Sequence, residues 1–118
     1  MNLLIGYDKC STCKKAEKWL SDNQISFTKR PIKEEHPSAE ELRAWQKASG
    51  IPLKKFFNTS GMLYREMNLK DKIGDMNDDE IYALLATDGM LVKRPILVGE
   101  DFILLGFKEP EWQNALKR

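Results

Sequence analysis

The chain is poor in the residues that build a metal centre. It has one histidine, His36, and two cysteines, Cys10 and Cys13, among 118 residues. Zinc asks for about four ligands, and His36 precedes Pro37 in a charged loop where it reads as solvated, so no metal is expected. Long apolar runs are also missing; none approaches the ~20 residues that span a membrane. No basic leader opens the chain, and its first apolar run stops after Ile5, which speaks against a secretory signal. A cytoplasmic protein with no membrane partner is expected, in a compartment that keeps thiols reduced. Nor is there an excess of one charge: Lys and Arg number 19 against 18 Asp and Glu, a formal charge of +1. That balance argues against direct nucleic-acid binding through a basic field. It leaves room for docking on a protein that itself binds DNA. Repeats, low-complexity tracts and linkers are absent, so residues 1–118 read as a single domain, expected to be a monomer.

What is present stands near the start. Leu3-Leu4-Ile5-Gly6-Tyr7-Asp8-Lys9 leads into Cys10-Ser11-Thr12-Cys13 with no linker before a helical pattern. A disulfide across two intervening residues closes a tiny loop and stabilises little. In a reducing compartment the pair therefore reads as a redox site. The structural alternative stays open: Cys is among the most buried residue types, and Cys13 shares a helix face with Ala16 and Leu20.

Taken in order, residues 1–6 form a buried strand. A helix runs from Ser11 or Thr12 to about Asn23. Ile25 and Phe27 alternate with Ser26 and Thr28 as a second strand ended by Pro31. Strand, helix, strand with short links is a parallel βαβ unit. The middle is helical and without strands. Ser38 and Glu41 form a capping box, as do Asn77 and Glu80. Gly50 is a helix C-cap, Leu53–Phe57 gives a helical turn, and residues 64–73 hold a short helix or two. Sheet returns with a hairpin over residues 95–98 and 102–106, whose continuous apolarity predicts strands covered on both faces. A last helix opens at Glu109-Pro110-Glu111, turns Trp112, Ala115 and Leu116 inward, and has Lys117-Arg118 to complement its C-terminus. With the insertion at about 38–90 removed, this α/β order, βαβ then ββα, is the thioredoxin-like (glutaredoxin-like) arrangement. It predicts a mixed four-stranded sheet with helices on both faces, the all-helical insertion lying between strands 2 and 3.

Cys10 falls at the strand-to-helix junction, where unpaired N–H groups and the helix dipole stabilise an anion. Lys9, Lys14 and Lys15 add positive charge. Both effects predict a lowered pKa and more thiolate, the reactive form. Cys13 lies one turn on and less exposed, which suits a resolving thiol. Lys93-Arg94-Pro95 precedes the third strand. In a thioredoxin-like fold this position faces the active cysteine, its proline is usually cis, and Arg94 would bring a planar fork of donors to an oxyanion, carboxylate or thiolate. Otherwise Arg94 is a surface charge and Pro95 begins a strand in trans.

Cys10-Ser11-Thr12-Cys13-Lys14-Lys15-Ala16, the turn Phe57-Asn58-Thr59-Ser60-Gly61, Lys93-Arg94-Pro95-Ile96 and Gly106-Phe107 together resemble the ArsC/Spx family over the whole chain. The resemblance implies a bacterial thiol-based redox protein. In the family's arsenate reductases the first cysteine attacks arsenate, three arginines hold the oxyanion, and glutathione with glutaredoxin reduces the adduct. Cys10 matches that nucleophile and Arg94 one of the arginines, with Lys9, Ser11, Thr12, Lys14 and Pro95 around the bound substrate. The other two arginines are missing. Asn58-Thr59-Ser60-Gly61 stands where one belongs, and Lys108 and Arg65 fall off the motif. Each lost charge-assisted hydrogen bond weakens the anion grip by about 1.5–3 kcal/mol, which sets arsenate itself against the sequence. Cys13 is the second departure, because CxxC marks the Spx/MgsR-type members. Spx-like regulators use the disulfide as an oxidative-stress switch and bind the C-terminal domain of the RNA polymerase α subunit. Gly50 is the candidate for their contact glycine. The resemblance thus implies an ArsC-like thiol–disulfide oxidoreductase with Cys10 as nucleophile, Cys13 as resolving thiol, Arg94 at the anion and no cofactor. Its partners are a small oxyanion or a thiol reductant, glutathione/glutaredoxin or thioredoxin. The alternative is a redox-sensing regulator docked on RNA polymerase.

Overall fold

The computed structural model describes residues 2–117. Met1, counted in the first strand, and Arg118, counted at the last helix end, lie outside them. The sheet is built from β1 (Leu3–Gly6), β2 (Thr28–Pro31), β3 (Ile96–Val98) and β4 (Ile103–Leu105), in the order β2-β1-β3-β4. β1 pairs parallel with β2 and antiparallel with β3, and β3 pairs antiparallel with β4. This is the mixed four-stranded sheet read from the sequence.

Strand alternation sorts the core. Leu4 and Leu97, cross-strand partners, turn to one face and pack with Ala16 and Leu20 of α1 (Ser11–Asp22) and Trp112 of α6 (Glu109–Leu116). Ile5 and Ile96 turn to the other face and are also fully buried. Trp112 anchors the first cluster. Its ring stands edge-on to Phe107 at 4.9 Å and to Trp19 at 6.2 Å, and its Nε1–H donates to the Gly106 carbonyl at 3.0 Å. The polar tip of a large buried ring is thus satisfied, as burial requires.

Two strands differ from the sequence reading. β2 starts at Thr28 rather than Ile25. The cause is the exit from α1: Asn23 is the C-cap, Gln24 takes φ +58°, and the Ile25 N–H returns to the Leu20 carbonyl at 2.9 Å. Residues 24–27 serve this turn, while Ile25 and Phe27 drop onto the core cluster. β2 also includes Pro31, which an edge strand tolerates. β4 is not covered on both faces. It is the opposite edge, and all three of its residues are half-buried. In α6, Trp112 is buried whereas Ala115 and Leu116 are half-buried. Lys117 reaches the Asn23 side chain at 2.7 Å, at the end of α1.

Residues 32–93 form a second compact unit, distinct from the sheet unit. It contains α2 (Ala39–Ser49), α3 (Met62–Glu66), α4 (Leu69–Lys72) and α5 (Asp78–Leu85), with 3-10 turns at Leu53–Phe56, Ile73–Asp75 and Gly89–Leu91. Both capping boxes form, Ser38 with Glu41 and Asn77 with Glu80. Gly50 ends α2 in the left-handed region at φ +69°. α2 and α5 are tied by the Tyr82 hydroxyl donating to Gln46 at 2.9 Å, and by Arg43, which pairs with Asp79 and lies 5.1 Å over the Tyr82 ring. The unit is helical except for one antiparallel bridge, Phe57 to Val92, which the sequence reading lacked. No described helix is long and apolar enough to cross a membrane.

The fold yields a first prediction. Trp112→Ala should lower unfolding free energy by about 3–5 kcal/mol in urea titration. A loss under about 1 kcal/mol would contradict a closed cluster around that ring.

Candidate active site

Cys10 is the N-cap of α1. Its backbone is extended, at φ −96° and ψ 116°, and its Sγ accepts the Cys13 N–H at 3.3 Å. A thiol thus does what Ser or Asp does at other helix starts, satisfying one of the four free N–H groups of the first turn. Its own N–H donates to the Tyr7 carbonyl at 3.0 Å, and its carbonyl accepts from Lys14 at 3.1 Å, so the residue is held at both backbone ends. Cys10 is half-buried, Cys13 is buried, and both are free thiols. Gly6 makes room for the inner sulfur. A Cβ there would stand 3.3 Å from Cys13 Sγ, tighter than ordinary contact.

The two sulfurs differ in ionisation. Burial, the largest influence on Cys10, pushes its thiol up. The Cys13 thiol and amide and the Arg94 guanidinium all favour the Cys10 thiolate, and together they bring the pKa below the ordinary value. For Cys13, burial and then the neighbouring Cys10 sulfur push the thiol up to about 12, against a backbone hydrogen bond from Tyr7 and the charge of Arg94. One sulfur is prepared as a thiolate and the other is kept as a thiol that donates to it.

Arg94 comes to Cys10 from the start of β3, and the Arg94–Pro95 peptide is cis. Its Cζ lies 5.1 Å over the Tyr7 ring. Its Nε and Nη1 are buried and have no hydrogen-bond partner, the only such side-chain atoms among the described residues. Buried donors without partners are costly, and native structures rarely keep them without a reason. Here they lie on a cation beside a thiolate, where an anion or polarised acceptor would satisfy them.

The structure therefore brings together Cys10, Cys13 and Arg94, with Pro95 buried next to Arg94. Ser11 and Thr12 open α1, and their side chains are exposed. Lys9, Lys14 and Lys15 are exposed as well, and the thiolate is favoured by Cys13 and Arg94, not by these lysines. Water and salt screen such exposed charges. Lys108 is exposed and lies 3.8 Å from Glu111. Arg65 is exposed on α3, and Gly50 is exposed at the end of α2. No cluster of three or more His, Cys, Asp or Glu suited to a metal ion occurs among the described residues. Sequence reasoning missed Tyr7 and Gly6. Their signal was present, a glycine and an aromatic residue closing a buried strand just before the cysteines.

A family model, the ArsC family, matches residues 5–115. The YusI protein of Bacillus subtilis is 50% identical over 92% of each chain. A solved structure from Bacteroides fragilis, described as ArsC family related, is 52% identical, with a TM-score of 0.93 over 96% of this chain and 95% of that one. The structure of a possible arsenate reductase from Streptococcus mutans is 46% identical, with a TM-score of 0.86 over 92% of each chain. The regulatory protein MgsR of Bacillus subtilis is 30% identical over 95% of this chain and 87% of its own length.

The thiol pair makes its own prediction. Alkylation of Cys10 by iodoacetamide against pH, read by mass spectrometry, should have a midpoint below the ~8.5 of a free thiol. Thiolate fraction rises with pH, so a lowered pKa moves the curve to lower pH. Cys13→Ala removes a donor to the thiolate and should move it back up. Cys13 should stay unmodified near neutrality. A Cys10 midpoint at or above the free-thiol value would overturn this account.

Proposed function

Since the chain belongs to the ArsC family, we propose that it is a cytoplasmic thiol–disulfide oxidoreductase of that family, with Cys10 as nucleophile, Cys13 as resolving thiol and Arg94 orienting the bound anion or thiolate. The observation that carries this reading is the Cys10 sulfur at the N-cap of α1, beside an arginine with two unpartnered buried nitrogens.

The residues suggest an order of steps. The Cys10 thiolate attacks an oxidised sulfur of the substrate, forms a mixed disulfide and releases the leaving thiolate towards Arg94. With its charge gone, Cys10 no longer raises the Cys13 pKa, whereas Tyr7 and Arg94 still favour the Cys13 thiolate. Cys13 then gives its proton to the released thiolate and attacks the Cys10 sulfur. The second substrate sulfur leaves as a thiolate, and a Cys10–Cys13 disulfide remains. Two electrons have passed to the substrate, and an external dithiol such as glutaredoxin or thioredoxin, or two equivalents of glutathione, returns them. An oxyanion could enter the same cycle at the first step. Beside Cys10 it would find Arg94, together with the opening amides of α1 at Ser11 and Thr12. That grip suits a disulfide or a single carboxylate better than a doubly charged oxyanion.

A second reading has its own support. MgsR is a regulatory protein, and Spx regulators also match over 92% of this chain. Gly50 is exposed, and a Cβ added to it would meet nothing within 4 Å, so a partner surface could approach there. On this reading the Cys10–Cys13 disulfide is a signal, and the partner is RNA polymerase, through its α subunit.

The two readings separate by assay. Turnover of a disulfide substrate, or of arsenate, with glutathione/glutaredoxin or thioredoxin should fall at least ~100-fold in Cys10→Ser. Absence of turnover, with pull-down of the C-terminal domain of the polymerase α chain lost in Gly50→Arg, would sink the enzyme reading. Gly50→Asn is the needed control, because Asn tolerates the left-handed backbone that Arg strains.

A further inference from the structure

Arg94 has a guanidinium directed at Cys10 and two nitrogens left over, and a long side chain needs something to hold it in that pose. A carboxylate would be the usual partner. Among the described residues no carboxylate pairs with Arg94. That matters chemically, because a carboxylate would neutralise the cation and occupy the in-plane donors an anion needs. An aromatic ring holds a guanidinium in another way. It attracts the cation to its face and leaves the N–H groups at the guanidinium edge unused.

Tyr7 is placed to do this by the sheet. β1 and β3 pair in a fixed register, Leu3 with Val98, Leu4 with Leu97 and Ile5 with Ile96. Tyr7 follows the end of β1 and Arg94 precedes the start of β3, so the antiparallel pairing brings both residues to the same end of the sheet. The Arg94 Cζ lies 5.1 Å from the Tyr7 ring centroid. The Tyr7 backbone meanwhile touches both cysteines, its carbonyl accepting from the Cys10 N–H and its N–H serving the Cys13 sulfur. One residue thus links the strand end, the thiol pair and the arginine.

We propose that Tyr7 is a positioning residue whose ring holds the Arg94 guanidinium by its face, so that the edge donors remain available to the Cys10 sulfur and to an anionic group beside it. The role rests on the thiol–anion reading above. It requires the ring and not the hydroxyl.

A pair of alkylating probes tests it. Iodoacetate and iodoacetamide share a leaving group, but only the first carries a carboxylate. Their rate ratio at Cys10, taken at one pH, cancels the thiolate fraction and reports how well the site draws an anion. Arg94→Gln should lower the ratio, Tyr7→Phe should keep it, and Tyr7→Leu should lower it by about 3- to 10-fold, the range of a cation–π contact. In the Arg94→Gln background, Tyr7→Leu should add nothing, because its effect passes through the arginine. An unchanged ratio in Tyr7→Leu, or an equal drop in both backgrounds, overturns the positioning role alone. If Arg94→Gln leaves the ratio unchanged, the thiol–anion reading falls with it. Should Tyr7→Leu fail to fold, a ring-fluorinated phenylalanine at position 7 keeps the shape and removes the attraction. The same fall is then expected, and no fall rejects the proposal.

Discussion

The Cys10 sulfur and the Arg94 guanidinium share one half-buried corner of the sheet unit, and the rest of the site depends on keeping both there. Each is unfavourable alone. Half-burial opposes the Cys10 charge, and two buried Arg94 nitrogens lack partners. Together they offset part of that cost, and the remainder is the standing preference of the site for an incoming acceptor. The sheet sets this geometry in advance. Cys10 is fixed by helix capping at the end of β1, Arg94 by its place before β3, and the two strands are hydrogen-bonded neighbours. A site on paired strand ends and a helix start needs little rearrangement when a substrate arrives.

The same arrangement explains why the two cysteines are unequal although only two residues separate them. Cys13 is inside the helix, under Gly6, where burial keeps its proton on. Holding that proton makes Cys13 a donor to Cys10, so the inner thiol favours ionisation of the outer one. Reaction at Cys10 removes the thiolate that raised the Cys13 pKa. The second thiol is therefore released for attack by the event that requires it, and premature oxidation by way of Cys13 is disfavoured.

Much of this was legible in the sequence because local rules decided it. A buried strand running into CxxC at a helix start fixes Cys10 as N-cap. Ser38 with Glu41, Asn77 with Glu80, and Gly50 mark helix ends by short-range chemistry that tertiary packing has no cause to override. The misses came from long-range placement. The edge position of β4 follows from strand order, which apolarity in β4 cannot reveal. β2 begins late because Ile25 closes the preceding helix. The nearby lysines are exposed, while Arg94, far off in the chain, reaches the Cys10 sulfur. Tyr7 was visible as a residue but not as a partner, since its contact with Arg94 depends on the pairing of β1 with β3, which brings together residues far apart in the chain.

Oxidoreductase and redox switch use the same first steps at this site, and they part at the lifetime of the Cys10–Cys13 disulfide. An enzyme must pass that bond quickly to a reductant, which favours a disulfide whose leaving thiolate is stabilised. A switch must keep it until conditions change. Arg94 and the N-terminus of α1 stabilise Cys10 as a thiolate, and a stabilised thiolate is a good leaving group. The reduced form is therefore favoured, and an external thiol can reach the disulfide at the half-exposed Cys10 sulfur, Cys13 being buried. This bias is what turnover needs, and it makes the disulfide short-lived wherever a dithiol reductant is abundant. On the proposed oxidoreductase reading this bias suits turnover, and a regulatory role would have to draw its persistence from a partner that binds the oxidised form more tightly than the reduced one.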